Sequence, residues 1–175
     1  MKLYDEDIVM SMCKNIFVFD LDGTLANHDH RLHLIPTENL DISDSWLEFV
    51  NACDKDVPIK STISVLNSLY NDPDNYIIIL TARSEAVKNK TVDWLCNNNC
   101  EYDNLFMRGI GDNSKDTDFK ERVLREIGLD KIVAVWEDNP HVIKHMRGMG
   151  LTVYQVCETD TSENRLDLQN NGQEK

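Results

Sequence analysis

Asp20-Leu21-Asp22-Gly23-Thr24 places two carboxylates two residues apart beside a turn-forming glycine, directly behind the unbroken apolar run Ile16-Phe17-Val18-Phe19. Four large or β-branched residues without polar alternation read as a strand buried on both faces, the kind found in a parallel sheet. Asp20 then stands at a strand's carboxyl end, where open α/β sheets place their chemistry. Two acids there without a local cation concentrate negative charge, and such a cluster asks for a metal ion. Taken alone, the five residues also fit a polar turn that merely closes a strand. Three further groups weigh against that bland reading, because they follow in order, each at the end of an apolar run: Thr81-Ala82-Arg83, Asp116 with Lys120, and Glu137-Asp138-Asn139.

The elements that must carry these groups are legible from periodicity. After a polar loop over residues 26–42, Trp46, Val50 and Cys53 recur at helical spacing behind a Ser45/Glu48 capping box. Ile63, Leu66, Leu69 and Tyr70 form a second helical stripe, ended by Asn71-Asp72-Pro73. Tyr76–Leu80 is a second buried strand that delivers Thr81, Val87, Trp94 and Leu95 mark another helix, and Leu105–Met107 a short strand. Asp118 and Glu121 have N-cap and N3 spacing for a helix with Phe119, Val123, Leu124 and Ile127 inward, which puts Lys120 in its first turn. Ile132–Trp136 is a third buried strand. Asn139-Pro140 caps a helix with Val142, Ile143, Met146 and Met149 inward, and Leu151–Val156 is the last strand. Strands alternating with helices predict an α/β fold, a central parallel sheet covered on both faces.

The 175 residues suit one compact unit. With 18 basic against 31 acidic residues, net charge −13, strong nonspecific nucleic-acid binding is not expected. Five cysteines without C-x-x-C spacing, and no leading signal, read as free thiols in a reducing cytoplasm. No apolar run approaches the ~20 residues that cross a bilayer. His141 and His145, one helical turn apart, can hold zinc, but a solvated helix face is the better reading.

In the order of these four groups, roughly residues 16–156 resemble the haloacid dehalogenase (HAD) superfamily of aspartate-nucleophile phosphohydrolases. The resemblance implies a Rossmann-like HAD fold with a minimal cap. Residues 1–14 are a lead-in, residues 15–157 the phosphatase domain with a small insert at about 26–60, and residues 158–175 a mobile polar tail. It further implies that Asp20 is the nucleophile and that Asp22 is the general acid and base, its backbone carbonyl also on the metal. Asp138 completes a hard oxygen shell for Mg²⁺ with Asp20, waters and phosphate, and Glu137 serves as outer ligand or water-holder. Thr81 offers a hydroxyl and backbone N–H to phosphate, and Lys120 the fixed cation. Asp116, four residues before Lys120, is a candidate partner for its ammonium.

Within the superfamily the chain is similar to the 3′-phosphatase domain of bacterial and phage polynucleotide kinase. The residues that carry this are Asp20 to Ala26, His30-Arg31, Thr81-Ala82-Arg83, Met107-Arg108 with Gly111-Asp112, and Asp116 with Lys120. The resemblance implies substrate-binding roles for Arg83, Asp116 and Arg108, and places His30 and Arg31 against the substrate's sugar or phosphate. Ser114 and Lys115 stand where that family usually carries an arginine, and no G-x-x-x-x-G-K-[ST] occurs, so kinase chemistry is not expected. The expected activity is Mg²⁺-dependent phosphomonoester hydrolysis on a nucleic-acid 3′ end or a nucleotide. The alternatives are a nucleoside monophosphatase, favoured by the acidic balance, and a silent binding module on the same scaffold.

Overall fold

A computed structural model describes residues 14–156. The lead-in before residue 14, the tail after residue 156, Cys13 and Cys157 lie outside the described residues. Five parallel strands form the sheet in the order β5-β4-β1-β6-β7, with β1 (Asn15–Phe19) at the centre, β4 (Asn75–Ser84) and β5 (Asn104–Arg108) on one side and β6 (Ile132–Glu137) and β7 (Val153–Gln155) on the other. A separate antiparallel pair joins β2 (Ala26–Asn27) to β3 (Val57–Pro58) and forms the neck of the segment between them.

The unbroken apolar runs are explained by burial on both sheet faces. Tyr76, Ile78 and Leu80 of β4 pack with Ile16 and Val18 into one core, beneath α4 (Asp116–Ile127) and α5 (Pro140–Gly148). Ile77 and Ile79 point the other way and pack with Phe19, beneath α2 (Lys60–Tyr70) and α3 (Lys88–Asn97). Period-2 alternation is therefore present, but both phases are apolar. Phe119, Val123 and Leu124 of α4, and Val142, Ile143 and Met146 of α5, fill the first core as their spacing requires. Among the described residues no helix is long and apolar enough to cross a membrane.

Several local expectations are corrected. Ser45 caps nothing: a 3₁₀ turn, Ser43–Trp46, runs straight into the short helix α1 (Leu47–Asn51), whose N-cap is Trp46. Tyr70 leaves the apolar stripe and is 37% exposed. Helix α4 begins at Asp116 behind extended Lys115 (φ −58°, ψ 153°), not at Asp118, so Lys120 is its fifth residue rather than part of the first turn. Both acids instead lie in the first turn, where they complement the helix dipole. Strand β4 continues through Ser84 and carries Thr81 and Arg83 itself; its register with β5 skips between Thr81 and Ser84. Loop 26–42 contains β2 and the 3₁₀ turn Asp29–Leu34.

Candidate active site

Every residue of the four ordered groups comes from the carboxyl ends of the parallel strands or from α4. Asp20 leaves β1 with its N–H donated to the Trp136 carbonyl of β6 (2.9 Å). The next turn is closed by the Leu25 and Ala26 N–H groups on the Leu21 carbonyl (both 2.9 Å) and by the Gly23 N–H on the Ala26 carbonyl (2.8 Å). Gly23 sits at φ +89°, and a Cβ on it would lie 2.0 Å from Asp138 Oδ2. Only glycine allows both the backbone conformation and the approach of Asp138.

From β6, Glu137 and Asp138 reach the same point, and α4 brings Lys120. Lys120 Nζ donates to Asp20 Oδ1 (2.8 Å) and to Glu137 Oε2 (2.7 Å). The second Glu137 oxygen accepts the Asn139 N–H (3.1 Å), so both are committed inside the protein, which fits an orienting role better than direct ligation. Burial by itself would lower the Lys120 pKa, but the charges of Asp116, Asp20 and Glu137 raise it well above the usual lysine value, so it remains a cation. Burial pushes Glu137 up to about 7, with Asp138 and Asp116 adding and Lys120 opposing. Burial also raises Asp20, reinforced by Glu137 and opposed by Lys120.

Asp20, Glu137 and Asp138 bring carboxylate oxygens within 4.8 Å of one another, and among the described residues they are the only group of three or more His, Cys, Asp or Glu that could hold a metal ion. Asp20 Oδ2 is buried without a hydrogen-bond partner. A buried, unpaired carboxylate oxygen facing further acids fits a hard divalent cation. The histidine pair gives no such site: His145 Nε2 meets Glu121 Oε2 at 2.6 Å and joins α5 to α4.

A second network surrounds Asp22. Arg83 spans it with Nε on Oδ2 (3.1 Å) and Nη2 on Oδ1 (2.5 Å), and Arg31 Nη2 donates to the same Oδ1. Burial would raise the Asp22 pKa, but the guanidinium groups of Arg83 and Arg31 overcome it and hold the carboxyl well below the usual range. Both arginines also donate to Asp56: Arg31 through Nε and Nη2 (each 2.8 Å), Arg83 through Nη2 (2.9 Å). His30 Nε2 joins the same carboxylate at 2.9 Å. Asp56 itself is fixed through its carbonyl, which accepts Trp94 Nε1–H at 2.8 Å.

One open cleft gathers most of the sequence-derived candidates. Asp20, Asp22, Thr81, Arg83, Arg108, Asp116, Lys120, Glu137 and Asp138 line it; His30 and Arg31 do not. Arg31 is fully buried against Asp22, Asp56 and the Phe49 carbonyl, so it braces carboxylates from behind rather than facing a substrate. Thr81 is buried, and its hydroxyl accepts the Arg83 N–H (3.1 Å). Asp116 does not bond Lys120 but meets Arg108 Nη2 at 3.4 Å, acting on Lys120 through charge alone. Arg108 Nε is buried without an acceptor. Lys115 stays outside the cleft, as the residue that precedes α4.

Two contributors escaped the sequence reading. Asp56 looks like its neighbour Asp54; the only available signal was charge balance, since two arginines assigned beside the single acid Asp22 demand a second carboxylate. Asn139 was legible as the cap of α5, and its side chain does accept the His141 N–H (2.9 Å). Its Nδ2, buried at the cleft without an acceptor, is a further donor that no capping rule reveals.

The profile of the polynucleotide kinase PNKP phosphatase domain matches residues 14–161. Two structures of the Pnkp1/Rnl/Hen1 complex, the second described as an RNA repair complex, contain a chain that is 24% identical, aligned over 85% of this one, with TM-scores of 0.68 and 0.66. The present chain spans 48% and 44% of those longer chains. A haloacid dehalogenase-like family hydrolase from Streptococcus pneumoniae shares the fold at 14% identity, over 87% of this chain and 90% of its own, with a TM-score of 0.53. No curated protein sequence matches the chain. With the four ordered groups converging on one cleft and the profile covering all of the described residues, the chain belongs to the polynucleotide kinase phosphatase-domain family and is a phosphatase of the HAD type.

Proposed function

We propose that the protein hydrolyses a phosphomonoester through a phosphoryl group carried on Asp20, with Mg²⁺ as cofactor and a nucleic-acid 3′ end or a nucleotide as substrate. The reading is carried by one observation: Asp20, Lys120 and Asp138, from three separate elements, meet at one point where an oxygen of Asp20 is left unpaired. Asp20 and Asp138 would hold the ion, which when bound neutralises charge on the carboxylates and on the phosphate.

Asp20 attacks phosphorus, and the bond from phosphorus to the ester oxygen breaks. Lys120 offsets the negative charge of the attacking carboxylate, without which a dianionic substrate would be repelled. Arg108 and Asn139 present unpaired N–H groups to the phosphoryl oxygens, and Thr81 adds backbone N–H. Asp22 has to supply the proton taken by the leaving oxygen and then recover one from the water that splits the acyl phosphate. Its two guanidinium partners hold it ionised, a state suited to the water-activating half; the acid half requires a proton to reach it as substrate phosphate competes for Arg83. The Pnkp1/Rnl/Hen1 assembly, described as an RNA repair complex, supports a nucleic-acid end as substrate.

The test is Mg²⁺-dependent hydrolysis of a 3′-phosphorylated oligonucleotide by Asp20→Asn. Loss of at least ~10³-fold in kcat with an unchanged thermal midpoint is expected; retained turnover overturns the assignment. The net charge of −13 favours a second reading, a nucleoside monophosphatase, and free 3′- and 5′-mononucleotides run beside the oligonucleotide separate the two.

A further inference from the structure

The cleft has two unlike sides. Its polar floor comes from the ends of β1, β4, β5 and β6 and from α4, whereas Leu32, Ile35, Trp46, Phe49 and Val50 form an apolar wall drawn wholly from the segment between β2 and β3. A phosphate with a small polar leaving group has no use for that wall.

The wall is braced as well as apolar. Trp46 donates its Nε1–H to the Leu40 carbonyl (3.0 Å), so it offers the cleft ring surface and no hydrogen-bond donor. Phe49 stands nearly perpendicular to it, at 83° with centroids 5.8 Å apart, and covers the Arg31 guanidinium at 4.2 Å. Ser43 ties the segment to the loop before α4: its N–H donates to Asn113 Oδ1 (2.8 Å) and its Oγ to the Asp112 carbonyl (2.6 Å).

We propose that this wall stacks the nucleobase of the nucleotide whose phosphate is removed, so that the substrate is an ester with an unpaired terminal base. The proposal rests on Asp20 being the phosphoryl acceptor. A nucleotide is the class of ester that joins a flat π face to a phosphate through a short polar sugar, which matches an aromatic wall beside a charged floor. Because the Trp46 donor is already used, the ring surface distinguishes the presence of a base more strongly than its identity. A base lying on the wall has left its own duplex stack, so a single-stranded end is the better substrate.

The experiment compares, with the full chain and Mg²⁺, a single-stranded 3′-phosphorylated oligonucleotide, the same strand with an abasic last residue, hexyl phosphate and glycerol phosphate. The base-bearing end should exceed the abasic one by about 5- to 150-fold in kcat/KM, with little difference between a terminal adenine and a terminal thymine. Trp46→Ala and, separately, Ile35→Ala should shrink that ratio towards one. Equal rates for base-bearing and abasic ends, or hexyl phosphate cleaved as well as the nucleotide, with turnover still dependent on Asp20, would overturn base stacking and leave the phosphatase reading intact. No Mg²⁺-dependent turnover of any of the four esters would sink both. The substrate comparison needs no variant, so a folding defect cannot conceal the answer.

Discussion

Removing the Asp56 carboxylate probes the buried charge network directly. Its side chain is fully buried, as are those of Arg31 and Arg83, and it accepts three guanidinium hydrogen bonds at 2.8–2.9 Å. In Asp56→Ala the two guanidinium groups keep Asp22 as their remaining carboxylate, so one positive charge is left buried and uncompensated. Breaking a buried pair from one side costs about 3–5 kcal/mol. At about 2–4 °C per kcal/mol for a chain of this size, the thermal midpoint should drop by about 6–20 °C. Asp56→Asn keeps the volume and one acceptor but not the charge, and should fall between wild type and the alanine variant. Replacing Asp56 by leucine together with Arg31→Met, which removes a charge of each sign, should recover part of the loss. Urea unfolding followed by circular dichroism reads all four proteins. A change of less than about 1 kcal/mol in Asp56→Ala would show that water reaches these groups, and the account of the cluster as a desolvated clamp would be refuted.

Three more outcomes are expected. Gly23→Ala puts a Cβ 2.0 Å from Asp138 Oδ2 at φ +89°, so Asp138 must shift; the Mg²⁺ concentration for half-maximal activity should rise by at least ~10-fold, and an unchanged requirement would remove Asp138 from the metal site. The folded pKa of Asp22 lies below its unfolded value near ~3.9, so its contribution is complete above that pH and is lost as pH falls from about 4 through the folded value; Asp22→Asn should flatten the acid side of the melting curve, and an equally steep curve counts against the clamp. Burial, with the charge of Glu101 adding, pushes the Cys100 thiol up to about 12, and burial also raises Cys53, whereas Cys96 is exposed. Iodoacetamide at pH 8 should therefore label Cys96 in the native protein and reach Cys53 and Cys100 only after unfolding, with mass spectrometry assigning the sites.

The strands were legible because both of their phases are apolar, and Asp20, Thr81 and Glu137 were located by standing where such runs end. Lys120 and Asp138 carry no local signal of their own and were found through order along the chain. The start of α4 differs from the expected Asp118 cap because Asp116, two residues earlier, suits a first turn equally well by residue type; the extended backbone at Lys115 decides, and backbone is not written in residue type. Arg31 is expected at the substrate because it follows His30 in the loop behind the nucleophile, a position that suggests a sugar or phosphate contact. Its true surroundings depend on Asp56, 25 positions away, and nothing in local sequence announces a pairing at that range.

The neck formed by β2 and β3 has a mechanical implication. Arg31 and Asp56 belong to the segment above the neck, while Asp22 belongs to the turn that follows β1 and Arg83 to β4, and the four charges are stitched across the seam. Lifting that segment as a rigid flap would pull a guanidinium off Asp22 and ease its protonation. The placement of the insert and the ionisation of Asp22 therefore rest on the same buried charges, so a change in either is felt by the other.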